Sequence, residues 1–576
     1  MAVGDVRRDA PSAAPASGWP GWGYLPRTLL SPPVLVALLA WALCLPSAAR
    51  VVQLSPDMAE YVDVARRLVA GEGYLLGIKA YHIGGSEVVH DGLLHRTPLF
   101  TLIMAGMLWA GLDLYAVQVL NGAFGGLAAA LACSIGLRLF GRTVGIAAGV
   151  LAAASPVAFA QQVHIQSDAL ATALTLGAIR LLLVAADRGT LRPALLAGFL
   201  FGIGYLARPP VVVIGVALLV ALPFLAPDRA LARRLAFGLL GGMAVIGGPV
   251  TIFSLLTRGR LSYSGKGYLY GVVSDADIME NGYTDPILSP AAFVMADPGF
   301  VVGAIWSVTT LYARSIFLER EWLAPLALGW PAAVLALVRG RYSWPARLVL
   351  VAAGANFVFY ALTWSSWQDR FMLTTVYLLL PFVVDGLLQT LRWLCQWTVA
   401  RWATQDRVAH TPTILLGLVV ALVLAVWSPR FLEQYGGQFS YGERPVGTRV
   451  TDGLRWTGPP RWLNDGNLDD GLAWIARETA PDTVLAHGYP WPYGFFSGRP
   501  VVLLPYRLAD DRLREFLTEY RVSYVLYDPR DPQRREYGDQ LRDLSEDGVR
   551  SQRVRNLLVY DTRPLWQRES VVHPPK

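Results

Sequence analysis

The sequence predicts a polytopic α-helical membrane protein of about 11–13 transmembrane helices followed by a small α/β domain outside the membrane, and three observations carry that reading. Of 576 residues, 54% are hydrophobic and only 16% charged, where ordinary soluble domains carry about 25% charged residues. The apolar excess is gathered into repeated blocks, such as Pro32–Cys44, Val144–Ala160 and Val211–Leu225, of the kind that a hydrocarbon core about 30 Å thick selects. Arginine-rich runs separate the blocks, as the positive-inside rule requires.

The net charge of +7 and sequence pI near 9.2 follow from those loop arginines. No basic stripe interleaved with exposed aromatics accompanies them, so nucleic acid is excluded as a partner. Cys44, Cys133 and Cys395 lie in or beside apolar segments and far apart, which suits small buried hydrophobes and no disulfide or thiolate metal site. Residues 1–29 contain Arg7, Arg8 and a Pro/Ala/Ser-rich stretch without an apolar core and cleavage site. They read as a cytoplasmic tail, and the first span is expected to serve as the insertion signal.

Apolar spans are expected at 30–49, 115–137, 144–160, 168–186, 193–206, 209–226, 235–257, 322–338, 346–364, 371–393 and 412–428. The segments 98–112 and 300–318 are ambiguous. The first is short, and Trp306, Tyr312 and Arg314 in the second suit an interfacial amphipathic helix. Eleven spans with the N-terminus inside place Arg138–Arg142, Arg188–Arg192, Arg229–Arg234, Arg339–Arg347 and Arg392–Arg407 on the cytoplasmic side. Counting both ambiguous segments as spans turns the middle runs outward, against the rule.

This topology divides the chain into the tail 1–29, a transmembrane domain 30–428 with long external loops 50–97 and 258–321, and an extracytoplasmic α/β domain 429–576. In the last, Leu472–Thr479 and Arg512–Tyr520 read as helices and Thr483–Ala486 and Ser523–Tyr527 as strands. The external regions are also where polar residues interrupt the apolar pattern.

Ser55 through Leu68 opens the first external loop. On a helix beginning at Pro56, Asp57, Glu60 and Tyr61 share one face at i, i+3 and i+4. Asp57 and Glu60 are candidate catalytic carboxylates, and Asp57 also suits a helix cap. Asp168 opens a span at the same boundary, where an ionisable group is a functional candidate by default. Cations stand at Arg96, Arg208 and Arg370, with His95, His164 and Lys266 behind them. Each arginine also suits an interfacial, snorkelling role. Tyr263 to Gly271 has aromatics around Gly265-Lys266-Gly267 but lacks phosphate-loop spacing. The aromatic turn from His487 to Tyr493 reads as a packed loop, with acceptor contact as the alternative.

Asp57 to Tyr61, then Ala65, Leu68 and Gly71-Glu72-Gly73-Tyr74, resemble the start of GT-C glycosyltransferases, in particular the bacterial group related to protein O-mannosyltransferases and the lipid A aminoarabinose transferase. His95-Arg96-Thr97-Pro98-Leu99-Phe100, Arg138-Leu139-Phe140-Gly141-Arg142, Ser167-Asp168, Gly198 through Arg208-Pro209, and Gln368-Asp369-Arg370-Phe371 continue the resemblance in order over roughly 55–380. Met58 departs from the family's Asp-Glu pair, leaving Glu60 one turn on as the possible second acid.

The resemblance implies inverting transfer of a sugar from a polyprenyl-phosphate donor to a lipid, glycan or protein acceptor at the outer face. Asp57 would be the general base, and Arg96, Arg208 and Arg370, with His95, His164, Lys266 and Tyr61, would bind substrate. The leaving lipid phosphate gains negative charge, which guanidinium forks suit. No His-x-x-x-His or Asp-x-Asp cluster argues for a resident metal, so none is expected to be required, with divalent-metal assistance left open. Competing classes are a secondary transporter, which would place charged pairs near the midplane and show repeats, and a non-catalytic polyprenyl-phosphate-binding protein.

Overall fold

A computed structural model describes residues 31–48, 52–80, 86–259, 263, 294–295, 297–319, 322–363, 368–398, 405–440, 454–456, 467–505, 508, 510–531 and 537–572. The membrane part begins with α1 (Pro32–Ala48), followed by β1 (Val52–Leu54), α2 (Pro56–Val69), and short strands β2 (Leu75–Leu76), β3 (Ile78–Lys79) and β4 (His90–Asp91) in the first loop. The bundle continues with α3 (Pro98–Trp109), α4 (Leu114–Phe140), α5 (Arg142–Ala154), α6 (Pro156–Val163), α7 (Asp168–Arg188), α8 (Leu191–Ala207), α9 (Pro210–Leu225) and α10 (Arg229–Arg258). After it come α11 (Pro298–Leu318), α12 (Trp330–Val338), α13 (Trp344–Thr363), α14 (Leu373–Thr398) and α15 (Gln405–Ser440).

Among the described residues, seven helices are long and apolar enough to cross a membrane, and α5 with α6 make a further pair bent by 54° at Ser155. The other apolar helices, α1, α3, α8, α9 and the stretch Ala324–Val338, are shorter. Gly198 and Gly242 let α8 and α10 pack backbone to backbone, since a Cβ at either would meet a carbonyl oxygen of the other helix, as is common where small residues line membrane helix interfaces.

Two ends of the bundle are distinct. Arg138 pairs with Asp187 and donates to Leu183 O at 2.9 Å, Arg234 donates to Gly189 O, and Tyr342 packs edge-on against Phe140. The arginine-rich turns therefore share one end. Asp168 lies at the other end of α7, and 21 residues at 1.5 Å each separate the two by about 31 Å. Arg258 at the close of α10 pairs with Asp91 of the first loop, so α10 finishes at the Asp168 end. The segment 300–318, ambiguous from sequence, lies within the span-length α11. Tyr312 packs on Phe357 of α13 and Phe317 on Trp330 at the start of α12.

The soluble domain carries β5 (Leu454–Trp456), α16 (Asn467–Glu478), β6 (Leu485–His487), α17 (Pro490–Ser497), β7 (Val501–Leu503), α18 (Asp510–Glu519), β8 (Tyr524–Tyr527), α19 (Tyr537–Asp543), β9 (Arg550–Val554), β10 (Leu557–Asp561) and α20 (Arg563–Val572). Its six-stranded sheet has the order β3-β7-β6-β8-β10-β9. Strands β3, β7, β6 and β8 run parallel, and β10 pairs antiparallel with β8 and β9. The edge strand β3 comes from the first loop, and β1 pairs in parallel with β5. The loop is thus stitched to the soluble domain at two places. The helix over 412–428 also runs on to Ser440, past the expected domain boundary.

Candidate active site

Ser55 caps α2 and its hydroxyl accepts from Met58 N at 3.4 Å, with Pro56 in the first turn. This places Asp57 at the positive end of the helix dipole, which favours an anion. Arg96 comes from the end of the same loop, just before Pro98 starts α3. Its Nη2 donates to Asp57 Oδ1 at 2.6 Å and its Nε to Glu60 Oε2 at 2.7 Å. Arg370, on the short turn Asp369–Met372 that feeds α14, donates from Nη1 to Asp57 Oδ2 and to Gln166 Oε1 at 2.9 Å. Asp57 is therefore held between two guanidinium groups from distant elements.

A second ion pair lies beside the first. Arg208, in extended backbone between α8 and α9, donates to Asp168 at the start of α7 and lies 3.4 Å from the Tyr360 hydroxyl. The Arg208 and Arg370 guanidinium carbons lie 5.1 and 5.2 Å from the centroid of the Phe371 ring, on which Tyr360 stacks at 4.5 Å. Cation–π attraction at this range helps keep two like charges close. Arg208 and Arg370 side chains are 19% and 17% exposed, against 6% for Arg96 and 1% for Glu60. The first two are reachable from solvent; the last two are enclosed.

The remaining candidates divide. Tyr61 is buried, with its hydroxyl 3.0 Å from Ser167 Oγ and 3.1 Å from Thr97 Oγ1, so it braces α2 against the Asp168 turn. Asn121 donates to Gln161 O at 3.0 Å and to His164 O, which ties that same turn to α4. Burial and the neighbouring Arg370 push the His164 imidazole down to about 4, leaving it neutral beside the arginine. His95 is buried and packs edge-on against His90 at 4.9 Å. Lys266 lies outside the described residues. Among the described residues, no group of three or more His, Cys, Asp or Glu side chains is placed to hold a metal ion.

Four contributors were not among the candidate site residues. Gln166 joins Arg370 to Ser55, with its Nε2 donating to Ser55 Oγ at 3.3 Å. Tyr360 sits in an apolar span, Phe371 read only as part of a motif, and Trp491 read as loop packing. Gln166 is the one of the four whose sequence position, two residues before Asp168 in a polar run at a span boundary, offers a signal.

Comparison with known proteins supports the architecture. Residues 95–253 match the family described as dolichyl-phosphate-mannose-protein mannosyltransferase. No curated protein matches the chain. Among solved structures, ArnT from Cupriavidus metallidurans bound to undecaprenyl phosphate aligns with a TM-score of 0.53 at 14% identity, over 94% of this chain and 98% of that one. The oligosaccharyltransferase of Archaeoglobus fulgidus tethered to an acceptor peptide containing the NVT sequon aligns with a TM-score of 0.59 at 12% identity, over 94% and 74%. The archaeal oligosaccharyltransferase AglB from the same organism, in complex with an inhibitory peptide and a dolichol-phosphate, gives 0.57 at 13% identity, over 94% and 75%. With this family match over part of its length and this likeness over nearly all of it, the chain is a multi-pass membrane protein with the GT-C glycosyltransferase fold.

Proposed function

We propose that the chain transfers a sugar from a polyprenyl-phosphate donor to an acceptor hydroxyl, with inversion, at the membrane face that carries the soluble domain. The observation that carries this reading is the meeting of Asp57 with Arg370, and of Arg208 with Asp168, across the single Phe371 ring at one end of the bundle. That placement disfavours a secondary transporter, whose charged pairs gather near the midplane. The positive-inside rule makes the arginine-rich end cytoplasmic, the N-terminus with it, and the site end extracytoplasmic.

In the proposed reaction the acceptor O–H proton passes to a carboxylate oxygen of Asp57 while the acceptor oxygen bonds to the anomeric carbon. The bond from that carbon to the phosphate oxygen breaks on the opposite face, and lipid monophosphate leaves. A carboxylate oxygen carries two lone pairs, so one that accepts from an arginine can still take up a proton. Arg370 and Arg208, the partly exposed cations, bind the phosphate as its charge grows. Arg96 and Glu60 are enclosed and orient Asp57. The guanidinium groups supply the positive charge, so the proposal calls for no resident metal, and turnover after dialysis against a chelator tests that clause. ArnT with undecaprenyl phosphate and AglB with dolichol-phosphate support the choice of a lipid-phosphate donor.

The deciding experiment uses purified full chain in lipid. Mass spectrometry of the copurifying lipid identifies the donor, and Asp57→Asn is then assayed with it. The variant is expected to stay folded and to bind undecaprenyl phosphate while transfer falls by about 10²–10⁴-fold. Full turnover without the carboxylate removes Asp57 as the base.

A further inference from the structure

The soluble domain reaches the Asp57 pair through three successive hydrogen bonds. Helix α17 packs on α2, and the indole of Trp491, 4% exposed, donates from Nε1 to Glu60 Oε1 at 2.8 Å. Glu60 Oε2 accepts from Arg96 Nε at 2.7 Å. Arg96 Nη2 donates to Asp57 Oδ1 at 2.6 Å. Every link of this chain but Asp57 itself is buried. Nearly two helical turns beyond Glu60 on α2, Arg66 donates to Phe495 O at 3.0 Å and lies 4.5 Å from the Phe495 ring centroid. The two helices are therefore pinned at two points.

We infer that Trp491 is a positioning residue for the transfer reaction, through which the soluble domain sets the orientation of Asp57 by way of Glu60 and Arg96. This rests on the reading of Asp57 as the base. The physical content is a competition for one guanidinium. Glu60 and Asp57 share Arg96, and the indole N–H satisfies the Glu60 oxygen that Arg96 does not. Without the indole N–H, Glu60 holds an unsatisfied buried oxygen and draws more strongly on Arg96, which weakens its hold on Asp57. Without the charge on Glu60, Arg96 turns wholly to Asp57. The two changes act on Asp57 in opposite directions, whereas an indole that only fills space has no reason to produce opposite effects. The other charged and titratable groups around Asp57 and its arginines, namely Arg370, Arg208, Asp168 and His164, are the same in both variants.

The test needs no substrate. Asp57 in full-length protein in lipid nanodiscs is modified by a water-soluble carbodiimide across a pH series, and its extent is read by peptide mass spectrometry. Modification requires the protonated carboxyl, so its midpoint reports the hold on the anion. Trp491→Phe is expected to raise the midpoint and Glu60→Gln to lower it, each by about half a unit or more. Unchanged midpoints, or shifts of the same sign, overturn the proposal. Should Trp491→Phe fail to fold, Trp491→Leu takes its place, and an unchanged or lowered midpoint there refutes the proposal. The base assignment is judged separately by turnover of Asp57→Asn on a short-chain polyprenyl-phospho-hexose, so either failure is recognised without the other.

Discussion

Arg370 donates to Asp57 across 313 positions of sequence, and the same nitrogen meets Gln166 Oε1 at 2.9 Å. A guanidinium that already bridges a carboxylate and an amide is preorganised for a phosphate, which offers the same acceptor geometry with more charge. Its neighbour Arg208 shares the Phe371 ring with it, so a lipid phosphate seated there meets two forks at once.

Lysine at position 370 keeps the charge but loses the fork. Arg370→Lys is therefore expected to fold normally and to lose about 10²–10³ in kcat. Steady-state kinetics with the copurified donor checks this. Parental kcat in the lysine variant argues against phosphate contact at Arg370.

The Arg208–Asp168 pair makes a different demand. Asp168 is 2% exposed at the side chain, so removing its cation leaves a buried carboxylate alone, at a cost of about 3–5 kcal/mol. Arg208→Gln should lower the melting temperature strongly, and adding Asp168→Asn should recover much of the loss while transfer stays low. Thermal unfolding of the single and double variants in nanodiscs measures the coupling. Additive losses would show that the two side chains act independently.

Lys79, fully buried on β3, donates to Glu87 O at 2.9 Å and sits 5.3 Å from the Tyr520 ring centroid. Burial pushes its ammonium down to about 8, against opposing pulls from Glu519 and Glu87. The unfolded chain keeps that proton to about pH 10.4. Between the two values the unfolded state binds more protons, so this group makes stability rise with pH; below about 8 its burial cost is fully present. The stability difference between Lys79→Met and parent should shift against the methionine variant from pH 7 to pH 10, followed by unfolding monitored through intrinsic fluorescence. A difference independent of pH would show that Lys79 does not titrate in that window.

Gly198 and Gly242 face each other across α8 and α10, and a Cβ at either runs into a backbone oxygen, of Leu239 or Leu195. Gly198→Ala and Gly242→Ala should each destabilise the bundle by about 1–3 kcal/mol. Gly247, with open space around it on α10, is the control. Melting curves that rank Gly247→Ala with the other two would refute the packing argument.

Orientation is open to direct labelling, because Cys44, Cys133 and Cys395 are all buried. In sealed right-side-out vesicles, a membrane-impermeant maleimide should modify Asp482→Cys in the soluble domain. It should reach Thr190→Cys, at the arginine end, only after permeabilisation. The reverse pattern would invert the assigned topology.

Much of the architecture is written locally. The apolar blocks, the arginine runs between them and the Ser-Pro-Asp start of α2 each follow from a few neighbouring residues, because hydropathy, charge and helix capping act over one or two turns. The same locality marks Asp57, Asp168, Arg208 and Arg370 as polar interruptions at one membrane boundary. Which cation meets which carboxylate is a different matter. Arg96 turns to Asp57 and Glu60, Arg370 to Asp57 and Gln166, and Arg208 to Asp168, because helices far apart in the chain pack at particular depths and rotations. The capture of Ile78–Lys79 by the soluble sheet and of Glu60 by Trp491 likewise depends on long-range docking. A single sequence determines its short-range periodicities and where its charges lie along them. Pairings across hundreds of residues are decided by close packing and by the cost of leaving a buried polar group unsatisfied, and both exist only once the chain has folded.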